Sequence, residues 1–406
     1  MRPLKVLFVA EAMSLAHVVR LVTLANALHE EGIAVCLATD PRYAGVIGPL
    51  RFPTLHLYSL PADRFFRAVA SGGLIFDFDT LSRYACDDLA LFEQTRPDVV
   101  VGDFRLSLTA SARYAGIPFV NLTNAYWSPR ARLRRIVPDY DWVSWFGTGL
   151  AGLLFRAFWR LGFAYHAAPV NRLRRAYGLP SLGPDFGAVL TEGDLTCFSD
   201  SPLIVPLDGL PPSQHFIGPV PWSPPVPLPP WWEAFMAMRQ AGPVVYLNLG
   251  SSGSADAWQR MLEALAPLPV RVITAAPGCD GARDLRLPAN ARAAGIIPGD
   301  AACSAARVVV CNGGSPASYQ ALMHGVPVIG VAANMDQFMN MAAVEDAGCG
   351  ILLRSRDLRG SVIREALARG LSDGPLQATA EKVSAAITAG SATLEFRQAL
   401  HRFAGR

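Results

Sequence analysis

The sequence predicts an α/β protein built from two doubly wound parallel sheets. Short apolar runs alternate with longer stretches of helical periodicity, and the connections between them are short. The alternation occurs in two series, which are separated by a proline-rich segment at 218–230. Apolar residues make up 51% and charged residues 17% of the 406 residues, so the chain is not of the disordered class.

The first series of apolar runs defines a Rossmann-like domain over residues 1–218. The run 5–10 precedes a predicted helix from about His17 to Gly32, and the run 34–39 follows that helix. The run 99–103 precedes a predicted helix over 106–115, and the run 118–122 comes after it. Apolar runs with no polar alternation are typical of strands buried on both faces of a parallel sheet.

The second series defines another Rossmann-like domain over residues 241–388. Its predicted strands are 244–249, 270–274, 293–297, 308–311, 326–331 and 350–353. Residues 219–240 are predicted to be the linker between the domains, because its prolines lack backbone donors and favour an extended path. Residues 389–406 are predicted to form a C-terminal helix.

An aromatic-rich, helical insert at 125–178 interrupts the first series. Arginines occur throughout it and break the apolar run before it reaches the length of a membrane-spanning helix. We interpret it first as core helices with arginine stems lying over them, and secondly as an exposed apolar pocket or a peripheral membrane contact. The candidate ligand-binding residues of such a pocket are Tyr126, Trp127, Trp142 and Trp145.

Charge and cysteine content exclude several classes of function. The net charge of +3 is too close to balance to indicate a nucleic-acid partner. Lys5 and Lys382 are the only lysines, which excludes most lysine-based chemistry. The seven cysteines form no CxxC pair, so neither a zinc site nor a disulfide framework is predicted, and the N-terminus lacks the pattern of a signal peptide. We therefore expect a cytoplasmic protein.

Polar residues follow two predicted strands of the first domain. His17 stands at the start of the helix after the first strand, where the helix N-terminus disfavours imidazolium and leaves a ring that can accept a proton. Asp103 ends the run 99–103 at the same sheet edge and could orient that ring. Alone, each residue also fits a structural role, as a core histidine or a helix cap. Glu11 and Arg20 are interpreted as an ordinary surface pair.

Two glycine- and serine-rich turns follow strands of the second domain. The first contains Gly250 and Ser251, and the second contains Gly313, Gly314 and Ser315. Backbone N–H groups in such turns bind anions, although glycine can also serve the turn geometry alone. Two turns of this kind in one domain suit a diphosphate.

Short motifs occur in a fixed order between residues 295 and 350. They are Gly295-Ile-Ile-Pro298, Asn312-Gly-Gly314, Gly325-Val-Pro327, Asp336-Gln337 and Gly348-Cys-Gly350. In sequence and spacing they resemble the donor-binding signature of nucleotide-sugar-dependent glycosyltransferases of the GT-B fold, most closely the bacterial macrolide and natural-product type. The likeness extends over nearly the whole chain. It implies two Rossmann-like domains that face a cleft, with the C-terminal helix crossing back to the first domain.

The resemblance also implies an activity. It is the inverting, metal-independent transfer of a hexose from an NDP-sugar, UDP- or dTDP-linked, to a hydroxyl of an apolar acceptor of aromatic, polyketide-like or lipid character. His17 would be the base and Asp103 its partner, and no cofactor is implied beyond the donor itself. The implied donor contacts are Gly250, Ser251, Gly313, Gly314 and Ser315 at the diphosphate, Ile297 at the nucleobase, and Asp336 and Gln337 at the sugar.

The chain departs from the family pattern at several positions. Asn312 stands where the family usually has histidine, and Gln320 stands where it has the glutamate that meets the ribose. An Asn side chain can still donate to a phosphate oxygen, so Asn312 and Gln320 stay among the predicted donor contacts. These changes motivate one alternative, a catalytically silent glycosyltransferase-like auxiliary protein. A nucleotide-sugar 2-epimerase is the other alternative.

Overall fold

The computed structural model describes residues 4–250, 253–275, 286–372, 374–388 and 390–405. The chain divides into two units. Unit 1 comprises Met1–Val137, Asp141–Val220 and Gly390–Arg406, and unit 2 comprises Pro138–Tyr140 and Pro221–Ala389. Each unit contains a parallel sheet covered by helices, which confirms the predicted fold class.

Unit 1 has a seven-stranded parallel sheet in the described part of the chain. Its strands are β1 (Lys5–Ala10), β2 (Ala34–Thr39), β3 (Thr54–His56), β4 (Val99–Asp103), β5 (Phe119–Thr123), β6 (Leu195–Phe198) and β7 (Gln214–Phe216). The strand order is β3-β2-β1-β4-β5-β6-β7, so the winding direction reverses between β1 and β4. Ala10 pairs with Asp103 there, which brings the carboxyl ends of the two strands side by side. Open α/β sheets bind ligands at this kind of switch point.

Helices pack on both faces of this sheet. They are α1 (Leu15–Glu30), α2 (Ala44–Ile47), α3 (Ala62–Ser71), α4 (Phe78–Thr95), α5 (Leu108–Ala115), α6 (Val143–Ala176) and α7 (Phe186–Leu190). The last helix of the chain also belongs to unit 1, where Phe396 is fully buried and its ring lies 6.3 Å from that of Phe8.

The aromatic insert begins with a 3-10 turn at Ala125–Trp127 and is α-helical only in its second part. Residues 128–142 contain no helix, and α6 then runs to Ala176 with a break at Gly147, whose φ of 70° lies outside the helical region. A glycine tolerates that backbone conformation because it has no Cβ. Among the described residues, no helix is both long and apolar enough to cross a membrane.

Unit 2 has a six-stranded parallel sheet within its described residues, in the order β10-β9-β8-β11-β12-β13. These strands are β8 (Val244–Asn248), β9 (Arg271–Ala275), β10 (Ala291–Ala294), β11 (Val308–Cys311), β12 (Val328–Ala332) and β13 (Gly350–Arg354). The strand predicted at 293–297 ends earlier, because its sequence runs into Gly295 and Pro298. The strand predicted at 326–331 begins later, after Pro327, which has no N–H to donate.

The helices of unit 2 alternate with its strands. They are α8 (Trp232–Ala237), α9 (Ala255–Leu265), α10 (Gly299–Ala305), α11 (Ser315–Met323), α12 (Met335–Asp346), α13 (Gly360–Ser372) and α14 (Gly374–Thr388), and α15 (Ala392–Phe403) completes unit 1. The predicted linker 219–240 therefore includes a helix. Trp232 and Phe235 are buried in α8, and Arg271 donates to the carbonyls of Phe235 and Met236 at 3.0 and 2.8 Å.

Candidate active site

The carboxyl ends of β1 and β4 position a histidine and an aspartate. His17 lies in the first turn of α1, and its Nδ1 is 2.7 Å from Oδ1 of Asp103, the last residue of β4. A ring nitrogen that faces a carboxylate carries the proton, which leaves Nε2 with the lone pair. The His17 side chain is 19% exposed and that of Asp103 only 1%. The structure thus brings together the pair that the sequence predicts, with the ring partly open to solvent and the carboxylate buried.

Phe104 fixes the orientation of the imidazole. Its ring is parallel to that of His17 within 9°, with the centroids 5.0 Å apart. To reach this place Phe104 adopts a φ of 56°, a conformation that a bulky residue rarely takes and that costs about 1–3 kcal/mol. The hydrogen bond to Asp103 and the stacked ring together restrict the His17 side chain.

Arg20 binds the same carboxylate from the other side. Its Nε donates to Oδ2 of Asp103 and its Nη2 to Oδ1, each at 2.9 Å, which makes a two-pronged ion pair. Nη2 also lies 3.3 Å from Nδ1 of His17. Burial alone would lower the pKa of Arg20, but the carboxylates of Asp103 and Asp200 hold this pKa above its usual value. Arg20 is therefore a permanent cation beside the histidine.

The hydrogen-bond network continues to the ends of the next two strands. Arg20 Nη1 donates to Asn124 Oδ1 at 2.8 Å and to Ser199 Oγ at 2.7 Å. Asn124 Nδ2 and the backbone N–H of Ala125 donate in turn to Asp200, at 3.1 and 2.6 Å. One buried guanidinium thus connects polar groups at the carboxyl ends of β4, β5 and β6.

The interpretation of Glu11 and Arg20 as a surface pair is wrong. Both are buried, and Glu11 pairs with Arg105, with 3.4 Å between Oε2 and Nη1. Arg105 is fully buried, donates to Asp88 at 3.0 Å, and stacks 3.5 Å above the Tyr84 ring. The sequence led to the wrong interpretation of Arg20 because charged side chains are mostly exposed in folded proteins.

Glu11 and Arg105 hold the loops on which the His17–Asp103 pair depends. Glu11 directly follows β1 and donates its backbone N–H to the Asp103 carbonyl at 3.2 Å, while Arg105 lies two residues after Asp103. Burial raises the pKa of Glu11 and of Asp88 above their usual values, and the Arg105 charge opposes that shift. Glu11, Asp88 and Arg105 thus form a second buried cluster, which connects the loop after β1 with the loop after β4.

Unit 2 brings its two glycine-rich turns together. Gly250, with a φ of 60°, follows β8, and a Cβ on it would lie 3.0 Å from Nδ2 of Asn312. Oδ1 of Asn312 accepts from the backbone N–H of Gly314 at 3.1 Å. The amide of Asn312 therefore lies between the two turns. Ser251 lies outside the described residues.

A buried asparagine supports the second turn from below. Asn340 Nδ2 donates to the Gly313 carbonyl at 2.8 Å and to Ser318 Oγ at 3.1 Å. Gly313 has a φ of 77°, and a Cβ there would lie 2.7 Å from Met341 Cγ. Helix α11 then begins at Ser315, which is buried and follows the N-cap Gly314. The turn has the form of an anion site at a helix N-terminus.

The comparisons with known proteins place the chain in a family. Residues 259–402 match the model of the C-terminal domain of erythromycin biosynthesis protein CIII-like proteins. A PGL/p-HBAD biosynthesis glycosyltransferase from Mycobacterium tuberculosis is 44% identical over 382 residues, which cover 94% of this chain and 88% of the relative. The chain belongs to the natural-product glycosyltransferases of the GT-B fold.

Two further similarities support the family and the fold of this glycosyltransferase. A PGL/p-HBAD biosynthesis rhamnosyltransferase from Mycobacterium bovis is 44% identical over 381 residues, covering 94% of this chain and 83% of the relative. The solved structure of the spinosyn rhamnosyltransferase SpnG, complexed with spinosyn aglycone, has a TM-score of 0.70 at 22% identity and covers 97% of this chain and 99% of SpnG. The expectation of a GT-B glycosyltransferase is confirmed.

The remaining predicted donor residues of the glycosyltransferase lie around α10, α11 and α12. Gln320 Nε2 donates to the Trp222 carbonyl and to Asp300, both at 3.0 Å, so its amide nitrogen is held by the protein itself. Gln337 Oε1 accepts from the backbone N–H groups of Ala333 and Asn334 in a capping box at the start of α12.

Asp336 and Ile297 differ in their exposure. Asp336 lies in the first turn of α12 and is half-buried, beside a helix N-terminus that favours its negative charge. Ile297 is buried in the connection between β10 and α10. Among the residues that the structure describes, no group of three or more His, Cys, Asp or Glu side chains is arranged to hold a metal ion.

The four predicted acceptor-binding aromatics of the glycosyltransferase occupy different environments. Tyr126 is buried, and the Trp127 ring packs edge-on against that of Phe186 with 6.3 Å between the centroids. Trp142 lies in an edge contact with Phe146, and Trp145 is 78% exposed. Tyr126 and Trp127 are neighbours at 6.2 Å, whereas Trp145 projects into solvent near the start of α6.

Proposed function

We propose that this glycosyltransferase transfers a hexose from a nucleoside-diphosphate sugar to the hydroxyl of an apolar small molecule, with inversion at the anomeric carbon. Unit 2 binds the donor and unit 1 binds the acceptor. The observation that carries the proposal is the 2.7 Å contact between His17 Nδ1 and the buried Asp103, on a ring that is itself partly exposed. Such a pair is suited to remove a proton from a hydroxyl.

In the proposed reaction, Nε2 of His17 takes the proton of the acceptor hydroxyl. The acceptor oxygen forms a bond to the anomeric carbon while the bond from that carbon to the diphosphate oxygen breaks, and the nucleoside diphosphate leaves. Asp103 stabilises the imidazolium through the hydrogen bond to Nδ1. A direct displacement of this kind inverts the configuration.

The departing diphosphate is proposed to bind at the turns around Gly250 and Gly313. Backbone N–H groups at the start of α11 present fixed dipoles to the developing negative charge. Asn312 replaces a cationic or donor imidazole with an amide, which is still a hydrogen-bond donor. The reaction is proposed to need no metal ion.

The names of similar proteins support the choice of substrates. SpnG has been solved with thymidine diphosphate and, separately, with spinosyn aglycone, which supports a dTDP-sugar donor and an apolar acceptor. The 44% identical relatives include a rhamnosyltransferase of PGL/p-HBAD biosynthesis, which supports a deoxyhexose. A UDP-sugar remains the second donor to test.

Mass spectrometry of product formation tests the proposal. The protein is incubated with dTDP- or UDP-sugars and a panel of phenolic and lipid alcohols. We expect His17→Ala to lower kcat about 100-fold or more, while a thermal shift by dTDP is retained. His29→Ala, on the same helix, is the matched control and should keep full activity.

Three outcomes would overturn the proposal. Full turnover by His17→Ala would exclude this residue as the base. Conversion of the donor without an acceptor would indicate the epimerase. Absence of both turnover and a thermal shift with either nucleotide would indicate the silent auxiliary protein.

A further inference from the structure

An exposed apolar stripe runs along α6. Its members recur at helical spacing, so they share one face of the helix. They are Leu150, Leu153, Phe158, Leu161 and Tyr165, each about half exposed or more. Trp145 and Phe146, just before the break at Gly147, are exposed as well. Several large apolar side chains exposed together on one helix face are typical of an interaction site.

Arginines accompany this α6 stripe and acidic residues do not. Between residues 142 and 184 the sequence contains five arginines and no Asp, Glu or Lys. Arg156 and Arg160 are exposed along one edge of the stripe, and Arg172 and Arg175 are exposed near its C-terminal end. Within the described part of the chain, none of these four guanidinium groups has a carboxylate partner.

We propose that the α6 stripe binds the surface of an anionic lipid bilayer. A helix that lies in the membrane interface has large apolar side chains on one face and arginines beside them, which is the pattern seen here. The long arginine side chains can lie along the apolar face while their charged ends reach the lipid phosphates. The proposal rests on the surface of α6 and does not depend on the catalytic role of His17.

Length and charge favour a membrane over other occupants. From Leu150 to Tyr165 the stripe is about 22 Å long at 1.5 Å per residue, which exceeds what one small acceptor covers. Two copies packed symmetrically through this face would bring arginine edges together, and the segment 142–184 has no carboxylate to neutralise them. The surface of an anionic bilayer presents lipid phosphates along the whole stripe, and these phosphates can neutralise its arginines.

Vesicle co-sedimentation of the full-length protein tests the proposal. One set of vesicles is phosphatidylcholine, and the other contains equal parts of phosphatidylcholine and phosphatidylglycerol. We expect binding to the anionic vesicles that weakens with added salt. Arg156→Gln with Arg160→Gln should lower the partition coefficient about 30-fold, at about fivefold for each cation near the surface.

A second variant tests the apolar part. Leu153→Ser, Phe158→Ser and Leu161→Ser together should abolish binding to both kinds of vesicle. Leu203→Ser with Leu210→Ser is the matched control, because these leucines are exposed elsewhere on unit 1, and it should bind as the parent does. All changed side chains are exposed, and unchanged melting temperatures will show that the variants fold.

Three results would overturn the proposal. The first is no binding of the parent protein to anionic vesicles, and the second is equal binding by the parent and both α6 variants. The third is a dimer, measured by light scattering without lipid, that the triple serine variant dissociates, since the stripe would then be an interface between copies.

Discussion

Replacing Arg20 tests how the histidine and its aspartate are held. In Arg20→Gln, Asp103 loses the two hydrogen bonds of the guanidinium and stays buried with only its contact to His17 Nδ1 and no permanent cation beside it. Removing one partner of a buried ion pair costs about 3–5 kcal/mol. In a domain of this size, that loss corresponds to a melting temperature lower by roughly 10 °C.

The same change affects the orientation of His17. Arg20 Nη2 lies 3.3 Å from Nδ1, and the same guanidinium holds the carboxylate that faces this nitrogen. Without the guanidinium, the Asp103 carboxylate can turn away from the ring, so the hydrogen bond that orients His17 is held less well. We therefore expect kcat to fall while the affinity for dTDP stays unchanged.

Calorimetry and initial rates measure both effects. Arg67→Gln is the matched control, since Arg67 forms an exposed pair with Asp63 on α3 and such pairs contribute less than about 1 kcal/mol. A lower melting temperature with an unchanged kcat would mean that Arg20 has only a structural role. An unchanged melting temperature would contradict the expected loss of about 3–5 kcal/mol on removal of the Arg20 guanidinium.

Three further variants test separate parts of the two units. Asp103→Asn should lower kcat on the order of 1000-fold and leave the affinity for dTDP unchanged, measured by initial rates and calorimetric titration, and a change confined to KM would contradict the assignment. Gly313→Ala places a Cβ 2.7 Å from Met341 Cγ at a φ of 77°, so it should destabilise unit 2 by about 1–3 kcal/mol in urea unfolding, whereas Gly374→Ala, where the space is open, should not. Glu11→Gln tests whether a buried carboxyl group makes stability depend on pH. Burial raises the pKa of Glu11 in the folded chain, so the contribution of this group to the free energy of unfolding decreases as the pH rises through that raised pKa. The variant should lose this part of the pH dependence in urea titrations. Parallel curves for parent and variant would show that Glu11 has no such effect.

The sequence predicts the sheets well because buried parallel strands leave an unambiguous signal. The run 99–103, for example, is apolar at every position but the last two. A short run of this kind is typical of a strand with both faces buried, as in a parallel sheet covered by helices. The predicted strand boundaries are wrong where prolines and glycines interrupt an apolar run, as they do near Pro298 and Pro327. The helix Trp232–Ala237 was missed because the prolines before it dominate the composition of the segment.

The histidine and aspartate could be placed because Asp103 ends one strand, His17 begins the helix after the neighbouring strand, and strand ends of a parallel sheet meet at one edge. Arg20 and Arg105 could not be placed in the same way. Their partners are distant in the sequence, since Arg20 and Asp103 are 83 positions apart, and nothing in the sequence distinguishes a buried arginine from an exposed one. One signal was available, since Arg20 follows His17 by three residues and therefore shares its helix face.

Asn312 has a consequence for the charge of the proposed diphosphate site. Its side chain lies between the two glycine turns, and a carboxamide neither gains nor loses a proton near neutrality. An imidazole in that place would change its charge as the solution is acidified. With asparagine, the groups that are proposed to hold the leaving nucleotide keep the same charge over this range.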